Sequence, residues 1–130
     1  MKKIYLLTKI AFHMFNITLI LIYLYPGSIL GWLFYGNIEK QPQLTSDFIS
    51  FSSNHVYAFM FLSILGLLSY YKDKIKYLFL YLFIISIFLE TCHNLIPQRS
   101  FEYQDLFGNI LGVFLIFIIF KFYELYKKIV

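Results

Sequence analysis

The chain has 130 residues, of which 60% are hydrophobic, 22% aromatic and 14% charged. This composition excludes an ordinary water-soluble domain, because a single core of this size cannot bury so much apolar surface. The net charge of +4 does not indicate nucleic-acid binding, since the basic residues occur in short groups between apolar runs and form no stripe. A single cysteine, Cys92, excludes an intrachain disulfide. We therefore predict a one-domain membrane protein.

Four apolar stretches are long enough, or nearly so, to cross a bilayer as helices, which takes about 20 residues. Helix-breaking residues bound them, since Pro26 and Gly27 follow the first stretch and Pro97 follows the third. The start of the second stretch is open, because Ser52–Asn54 suit either water or a first helical turn. The sequence predicts an all-α, single integral membrane domain over residues 1–130. Its four transmembrane helices are expected at about 4–25, 48–71, 77–96 and 106–126.

The basic residues predict the orientation of these helices, because loops rich in Lys and Arg stay in the cytoplasm. Nine of the eleven basic residues fall on one side, with Asp73 and Glu124, which gives that side a net charge of +7. The other side carries Lys40 and Arg99 with five acidic residues, a net charge of -3. The nine are Lys2, Lys3, Lys9, Lys72, Lys74, Lys76, Lys121, Lys127 and Lys128. Both termini are therefore expected on the cytoplasmic side. The protein itself is expected in the inner (cytoplasmic) membrane of a cell, as a multi-pass protein.

The first outer loop, residues 26–47, contains the aromatic stretch Ile29–Tyr35. This pattern is typical of a short helix that lies in the lipid headgroup region. Two interpretations are open for it, a plain interfacial anchor and a lid over a site.

Ionisable residues inside the predicted helices are the candidate site, since such groups are costly in lipid and usually have a partner or a task. Glu90 lies six residues before Ile96, which places it about 9 Å below the outer end of its helix. His93 follows Glu90 at i+3, on the same face. His55 in the second helix and Asp105 in the fourth complete a set that can converge from three helices.

The start of the fourth helix carries further polar and small residues. Asp105 has a structural interpretation as the helix N-cap, which accepts hydrogen bonds from the first backbone amides. Asn109 and Gly112 follow on the same face at i+4 and i+7. Gly108 and Gly112 have the GxxxG spacing that lets another helix approach closely, so we expect them at a helix interface.

These residues have the order of a known signature. The run Glu90–Phe101, with its Pro-Gln-Arg-Ser turn, followed by Asp105, Asn109 and Gly112, resembles the C-terminal signature of the VanZ-like family of membrane proteins. In that pattern a helix carries Glu, a Pro-x-Arg turn follows, and Asp, Asn and Gly lie on the next helix.

His55 is similar to a histidine before an earlier helix of that family, so the resemblance covers about residues 47–116. The chain departs from the pattern at residues 51–54, where an Asp-Lys pair is usual, and at His93, where Gln is common. The resemblance implies an action at the outer leaflet or cell envelope, and the family is linked to low-level teicoplanin resistance.

The outer polar cluster has three interpretations. In the first, it is a satisfied network of ion pairs and hydrogen bonds, and the chain is a non-catalytic structural or assembly subunit of a membrane complex. In the second, it acts on a lipid headgroup or lipid-linked envelope precursor, with proton exchange by carboxyl and imidazole groups and anion binding by Arg. The predicted catalytic residues are then Glu90, His55 and Asp105. The predicted substrate-binding residues are Arg99, Asn109 and His93. Whether the chain is an enzyme is left open, and no cofactor or metal is predicted for this second interpretation.

The third interpretation is a metal site. Glu90 and His93 have the Glu-x-x-His spacing found in carboxylate-bridged helical bundles, and His55 and Asp105 could add ligands. Only one such motif occurs, so a dinuclear centre would need a second from another subunit.

A polar stripe also runs down the first helix, where Lys9, His13 and Asn16 fall at i, i+4 and i+7. Lys9 can extend toward the cytoplasmic headgroups, and we expect His13 and Asn16 to make interhelical hydrogen bonds. A proton path in a small transporter is the alternative, which would call for a homo-oligomer.

Overall fold

The computed structural model describes residues 2–71 and 74–129, which form five α-helices and contain no β-strand. The helices are α1 (Lys2–Leu24), α2 (Ile29–Tyr35), α3 (Ser53–Tyr70), α4 (Ile75–Cys92) and α5 (Tyr103–Ile129). A 3-10 turn, His93–Leu95, extends α4. Lys72 and Asp73, which separate the predicted second and third transmembrane helices, lie outside the described residues. The prediction of an all-α chain is confirmed.

Three of the described helices are long and apolar enough to cross a membrane, namely α1, α4 with its 3-10 turn, and α5. The predicted second span corresponds to α3, which is a helix of 18 residues but is not one of the three. Its position explains the difference, because α3 packs against α1, α4 and α5. A helix surrounded by other helices carries small and polar residues that suit protein contacts, and α3 buries three serines and a glycine.

The outer surface of the bundle is strongly apolar. Large hydrophobic side chains such as Leu7, Leu80 and Phe122 are more than half exposed. In the most apolar stretch of α1 only 17% of the residues are buried, and in the corresponding stretches of α4 and α5 33% are buried. Apolar surface of this extent is unfavourable in water and favourable in lipid. The three helices are therefore of the kind found in membrane proteins.

The long helices meet at two distinct ends. At one end Lys9 Nζ of α1 lies 5.1 Å from the ring centre of Tyr70, which closes α3. There the ring of Tyr71 also packs edge-on against Phe120 of α5. The termini of the described chain thus share this end. We call it the basic end, after the lysines of its helix ends, Lys3, Lys9, Lys74, Lys76, Lys121, Lys127 and Lys128.

At the opposite end the last turn of α1 meets the first turns of α3 and α5. Tyr23 of α1 contacts His55 of α3 and Asn109 of α5 there. We call this the site end.

Two glycines of α5 bring its backbone against that of α3. A Cβ atom on Gly112 would lie 2.5 Å from the carbonyl oxygen of Val56, and one on Gly108 would lie 2.8 Å from that of Ser52. Neither distance accommodates a carbon atom. The expectation that Gly108 and Gly112 lie at a helix interface is confirmed.

The helix boundaries agree with several sequence signals and correct others. The aromatic stretch Ile29–Tyr35 forms α2, whose N-cap Ser28 accepts a hydrogen bond from Gly31 N at 2.9 Å. The second span was expected from about residue 48, but α3 begins at Ser53, because Phe48–Phe51 form a tight turn closed by two backbone hydrogen bonds. The N-cap interpretation of Asp105 is wrong, since α5 begins two residues earlier and Asp105 lies in its first turn.

Candidate functional site at one end of the bundle

A triangle of close polar contacts joins α1, α3 and α5 at the site end. Tyr23 Oη donates a hydrogen bond to Asn109 Oδ1 at 2.7 Å and lies 2.9 Å from His55 Nδ1. His55 Nδ1 lies 3.0 Å from Asn109 Oδ1. All three side chains are buried, where a polar group without a partner would be costly. The triangle therefore ties three helices together and fixes the orientation of each side chain.

This triangle also determines which nitrogen of His55 carries the proton. Asn109 Nδ2 donates to the carbonyl oxygen of Ser86 at 3.1 Å, which orients the amide and turns Oδ1 toward His55. Because Oδ1 can only accept, Nδ1 is the protonated nitrogen of the neutral imidazole. Nε2 then presents a lone pair on the far side of the ring, where Asp105 Oδ2 lies 3.4 Å away.

Glu90 is completely buried, and its two oxygens have different surroundings. Oε1 accepts a hydrogen bond from the backbone N–H of Glu102 at 3.0 Å. Oε2 has no hydrogen-bond donor among the described residues. A carboxylate oxygen in this position is costly, because burial removes its water without replacing it.

His93 is the closest polar neighbour of that oxygen, with Nδ1 at 3.2 Å from Oε2. Its other nitrogen, Nε2, lies 3.2 Å from the carbonyl oxygen of Tyr23 and must donate to it. In the neutral ring Nδ1 therefore has no proton, and it can bond to Glu90 only when the ring is doubly protonated. The His93 ring also stacks on that of Tyr23, with centroids 5.6 Å apart.

The predicted convergence from three helices is confirmed. One ligand-type atom from each of His55, Glu90 and Asp105 lies within 4.8 Å of the other two. His93 is next to Glu90, as its i+3 spacing predicts, but it is not a member of this set. The arrangement can bind a cation or share protons.

Arg99 contacts the end of α1. Its Nη2 donates to the carbonyl oxygen of Ile22 at 3.1 Å, and its Nε to that of Tyr25 at 3.3 Å. The last carbonyls of a helix have no partner within the helix, so Arg99 satisfies two groups that would otherwise need water. Partial burial lowers the pKa of the guanidinium, and the charges of Glu90 and Asp105 oppose that shift. Arg99 makes no ion pair with a carboxylate of the described chain within 4 Å.

An apolar cavity of about 470 Å³ lies beside this polar group, between α1, α3 and the segment that contains α2. Its apolar wall includes Leu19, Leu30, Phe34 and Phe61. Its polar end is formed by Tyr23, His55, His93 and Arg99. A smaller cleft of about 160 Å³ adjoins it, and the two share Ser28, Gln41 and Arg99.

The loop before α3 forms part of the cavity wall. The Asn54 side chain donates to the carbonyl oxygen of Pro42 at 2.7 Å and accepts from the N–H of Leu44 at 3.0 Å. Pro42 and Leu44 both line the cavity. The loop is thus fastened to α3 at the mouth of the candidate site.

Two contributors to the site were not predicted. Tyr23 lies in an apolar run, where a tyrosine is usually taken as an interfacial residue, and Ser86 contributes only its carbonyl oxygen. One signal was present for Tyr23, because it follows Asn16 by seven residues and so continues the polar stripe of α1. No side-chain pattern could have identified Ser86.

The polar stripe itself makes the predicted interhelical hydrogen bonds. His13 Nε2 lies 2.9 Å from Tyr70 Oη of α3, and Asn16 Nδ2 donates to Tyr81 Oη of α4 at 2.6 Å. Lys9, the third member, lies over the rings of Tyr5 and Tyr70.

No protein-family model, curated protein or solved structure matches the chain.

Proposed function

We propose that this chain is a VanZ-like, four-span membrane protein that binds a lipid-like amphiphile from the outer leaflet and acts on its headgroup at the site end. The observation that carries the proposal is the apolar cavity, which ends against the buried polar group. A pocket of this size, mostly apolar with a few convergent polar side chains, is typical of small-molecule sites.

The orientation in the proposal rests on charge. The described lysines of the helix ends gather at the basic end, while Asp105 and Glu90 lie at the site end. Under the positive-inside bias the basic end is cytoplasmic. Helix α3 would then be the fourth span, enclosed by α1, α4 and α5. The site end faces outward, toward the cell envelope.

The ligand class follows from the two adjoining spaces. The 470 Å³ cavity suits an acyl or prenyl chain, because its wall is built from aliphatic and aromatic side chains of α1, α2 and α3. The neighbouring cleft contains Arg99, Gln98 and Gln41, which can donate hydrogen bonds to a headgroup. The apolar chain of the ligand would thus lie in the apolar cavity, and its polar headgroup in the polar cleft.

The chemistry of the proposal depends on which groups the ligand reaches. His55, His93 and Arg99 line the cavity, whereas Glu90 and Asp105 are not part of its lining. Among the predicted catalytic residues, His55 lines the cavity and would lie nearest a bound headgroup, and a proton that it accepts would go to Nε2, which faces Asp105 Oδ2. Asn109 and Glu90 orient the two imidazoles. The resemblance to the VanZ-like family extends the proposal to envelope lipids and to low-level teicoplanin tolerance.

The interpretation of α2 as a lid belongs to the same proposal. Leu30 and Phe34 of α2 line the cavity, so the short helix covers part of it while its other aromatic side chains stay exposed. A lipid would enter past this helix from the headgroup region.

Filling the cavity tests the proposal. Ala58 lies in its wall, and Ala58→Phe should exclude an acyl chain. We expect the wild-type chain, reconstituted in vesicles with a phosphatidylglycerol that carries a photoreactive acyl chain, to cross-link at cavity residues located by mass spectrometry. Ala58→Phe should reduce that cross-linking several-fold.

The matched control is Ala11→Phe, the same change on α1 at a residue that does not line this cavity. It should cross-link like the wild type. Equal labelling of the cavity in all three chains, or labelling confined to the outer faces of α4 and α5, would contradict lipid binding in this cavity.

A further inference from the structure

Three metal-ligating side chains converge from three different helices at the site end. His55 comes from α3, Glu90 from α4 and Asp105 from α5, each with one ligand atom within 4.8 Å of the others. Two of these atoms, His55 Nε2 and Asp105 Oδ2, lie 3.4 Å apart. Two ligands of a tetrahedral zinc ion with bonds of about 2.0–2.1 Å are separated by about 3.3–3.4 Å. The pair is thus already at the spacing of a shared metal ion.

The imidazole of His55 is prepared for such a role. Its Nδ1–H is held by Asn109 Oδ1 and Tyr23 Oη, so Nε2 carries the lone pair toward the two carboxyl groups. Histidines that bind metals almost always donate their second N–H to an oxygen of the protein, which fixes the ring and the tautomer. Tyr23 and Asn109 therefore orient the imidazole ring independently of the two carboxyl groups.

A second and independent observation is the orphaned oxygen of Glu90. Oε2 is fully buried and has no hydrogen-bond donor in the described chain. The nearest nitrogen, His93 Nδ1, has no proton in the neutral ring because Nε2 donates to the carbonyl oxygen of Tyr23. One carboxylate oxygen of Glu90 belongs to the convergent set, so a cation bound there would offset the charge of a carboxylate that lacks a donor.

Charge points the same way. Glu90, which is fully buried, and Asp105, which is partly buried, bring two carboxyl groups within 4.8 Å of each other, where like charges repel strongly. The basic groups within 4 Å of them in the described chain are only the two imidazoles, since Arg99 bonds to carbonyl oxygens of α1. A divalent cation would offset both carboxylates at once.

We infer that His55, Glu90 and Asp105 bind a single divalent transition-metal ion of the zinc class. One imidazole nitrogen and two carboxylate oxygens form a donor set that suits Zn²⁺ and its neighbours, and three protein ligands leave a coordination position open. The inference rests on contacts among polar side chains and not on the cavity volume, so it can be tested separately from lipid binding. With a metal ion on Nε2, His55 would bind the ion instead of a proton.

Metal titration of the purified chain tests this site. The chain is stripped with a chelator in detergent and titrated with Co²⁺, whose visible absorption reports a low-symmetry coordination shell. We expect the wild type to bind a single ion per chain. Glu90→Gln and Asp105→Asn keep the shape of each side chain but remove its charge, and each should weaken binding at least about tenfold.

Glu39→Gln is the matched control, because Glu39 is an exposed carboxylate on the loop after α2. It should bind Co²⁺ like the wild type, and so should Ala58→Phe, whose defect concerns lipid alone. Failure of the wild type to bind, or equal affinity in the wild type, Glu90→Gln and Asp105→Asn, would overturn the inference.

A spectroscopic measurement on the unsubstituted chain covers the case in which the variants do not fold. X-ray absorption of the Zn²⁺-loaded wild type should show only nitrogen and oxygen neighbours at about 2.0–2.2 Å, with outer-shell scattering from imidazole. A sulfur neighbour at about 2.3 Å would place the metal on Cys92 and refute the site.

Discussion

The Tyr23 hydroxyl contacts two other members of the buried polar group. It donates to Asn109 and lies within hydrogen-bond distance of His55, so it connects α1 to two other helices with a single atom. Its ring also stacks on His93, next to Glu90. One residue of α1 thus touches both imidazoles of the site.

Removal of this hydroxyl should weaken the bundle. Tyr23→Phe leaves the ring in place but deprives Asn109 Oδ1 of a donor, and we expect a loss of about 1 kcal/mol in the free energy of unfolding. The measurement is reversible unfolding by SDS in mixed micelles. Tyr25→Phe, on an exposed tyrosine two residues later, is the control and should leave stability unchanged. Equal stability of Tyr23→Phe and the wild type would show that the Tyr23 hydroxyl contributes nothing to the stability of the bundle.

Single residues of the site differ in how well the sequence predicts them. Glu90, His55 and Asp105 are conspicuous, because ionisable groups are expensive in an apolar run, and their convergence is confirmed. Tyr23 is not conspicuous, since tyrosine tolerates both lipid headgroups and protein interiors. The contact of Arg99 with α1 could not be predicted either, because its partners are backbone carbonyls that every residue has.

At the scale of the helices, the contact between α3 and α5 depends on the absence of side chains. Gly108 and Gly112 let the backbone of α5 touch the carbonyl oxygens of Ser52 and Val56. This close approach is what brings Asp105 and Asn109 within reach of His55. The geometry of the site is therefore a consequence of helix packing.

Gly112→Ala should disturb this contact more than a comparable change elsewhere. The added carbon would meet backbone of α3 at 2.5 Å, which can relieve the clash only if the helices separate. On Gly66 of α3 the same carbon would meet the side-chain ends of Leu78 and Phe12, at 2.9 and 3.0 Å. We expect Gly112→Ala to cost about 1–3 kcal/mol of unfolding free energy, and Gly66→Ala clearly less.

The same SDS unfolding measurement decides between them. A larger loss for Gly66→Ala than for Gly112→Ala would mean that the α3–α5 contact is softer than its backbone distances indicate. Separation of the two helices should also lower the affinity of the metal site in Gly112→Ala, since two of its ligands lie on α3 and α5.

The helices were predictable to different degrees. Long apolar runs ended by Pro26 or Pro97 predict α1 and α4 well, because lipid requires an unbroken apolar helix and proline ends it. The start of α3 was placed too early, because Phe48 and Ile49 are apolar although they lie in and beside a turn. Hydrophobicity alone does not distinguish a loop that packs on the bundle from the first turn of a span.

On the scale of the whole molecule, the bundle has an apolar girdle and two ends of different charge. The girdle is formed by exposed side chains of α1, α4 and α5, while the interior holds a small set of fully buried residues such as Phe59 and Leu82. Lipid covers the apolar surface that the interior of so short a chain cannot bury. Lysines gather at one end and the buried carboxyl groups lie at the other, so the orientation in the membrane decides which compartment the site serves.

Labelling of single cysteines tests this orientation. In a Cys92→Ser background, Gln43→Cys lies in the loop at the site end, whereas Lys76→Cys and Lys128→Cys lie at the basic end. With four spans and a cytoplasmic basic end, a membrane-impermeant maleimide added to intact bacteria should label Gln43→Cys alone, and the other two only after permeabilisation.

If α3 does not cross the membrane, the chain has three spans, and Lys76→Cys and Lys128→Cys react from outside together with Gln43→Cys. An inverted bundle gives the opposite pattern, with only the two lysine positions labelled, and places the site in the cytoplasm. Because each arrangement predicts its own set of labelled positions, one experiment decides both the number of spans and the side on which a lipid headgroup would meet His55.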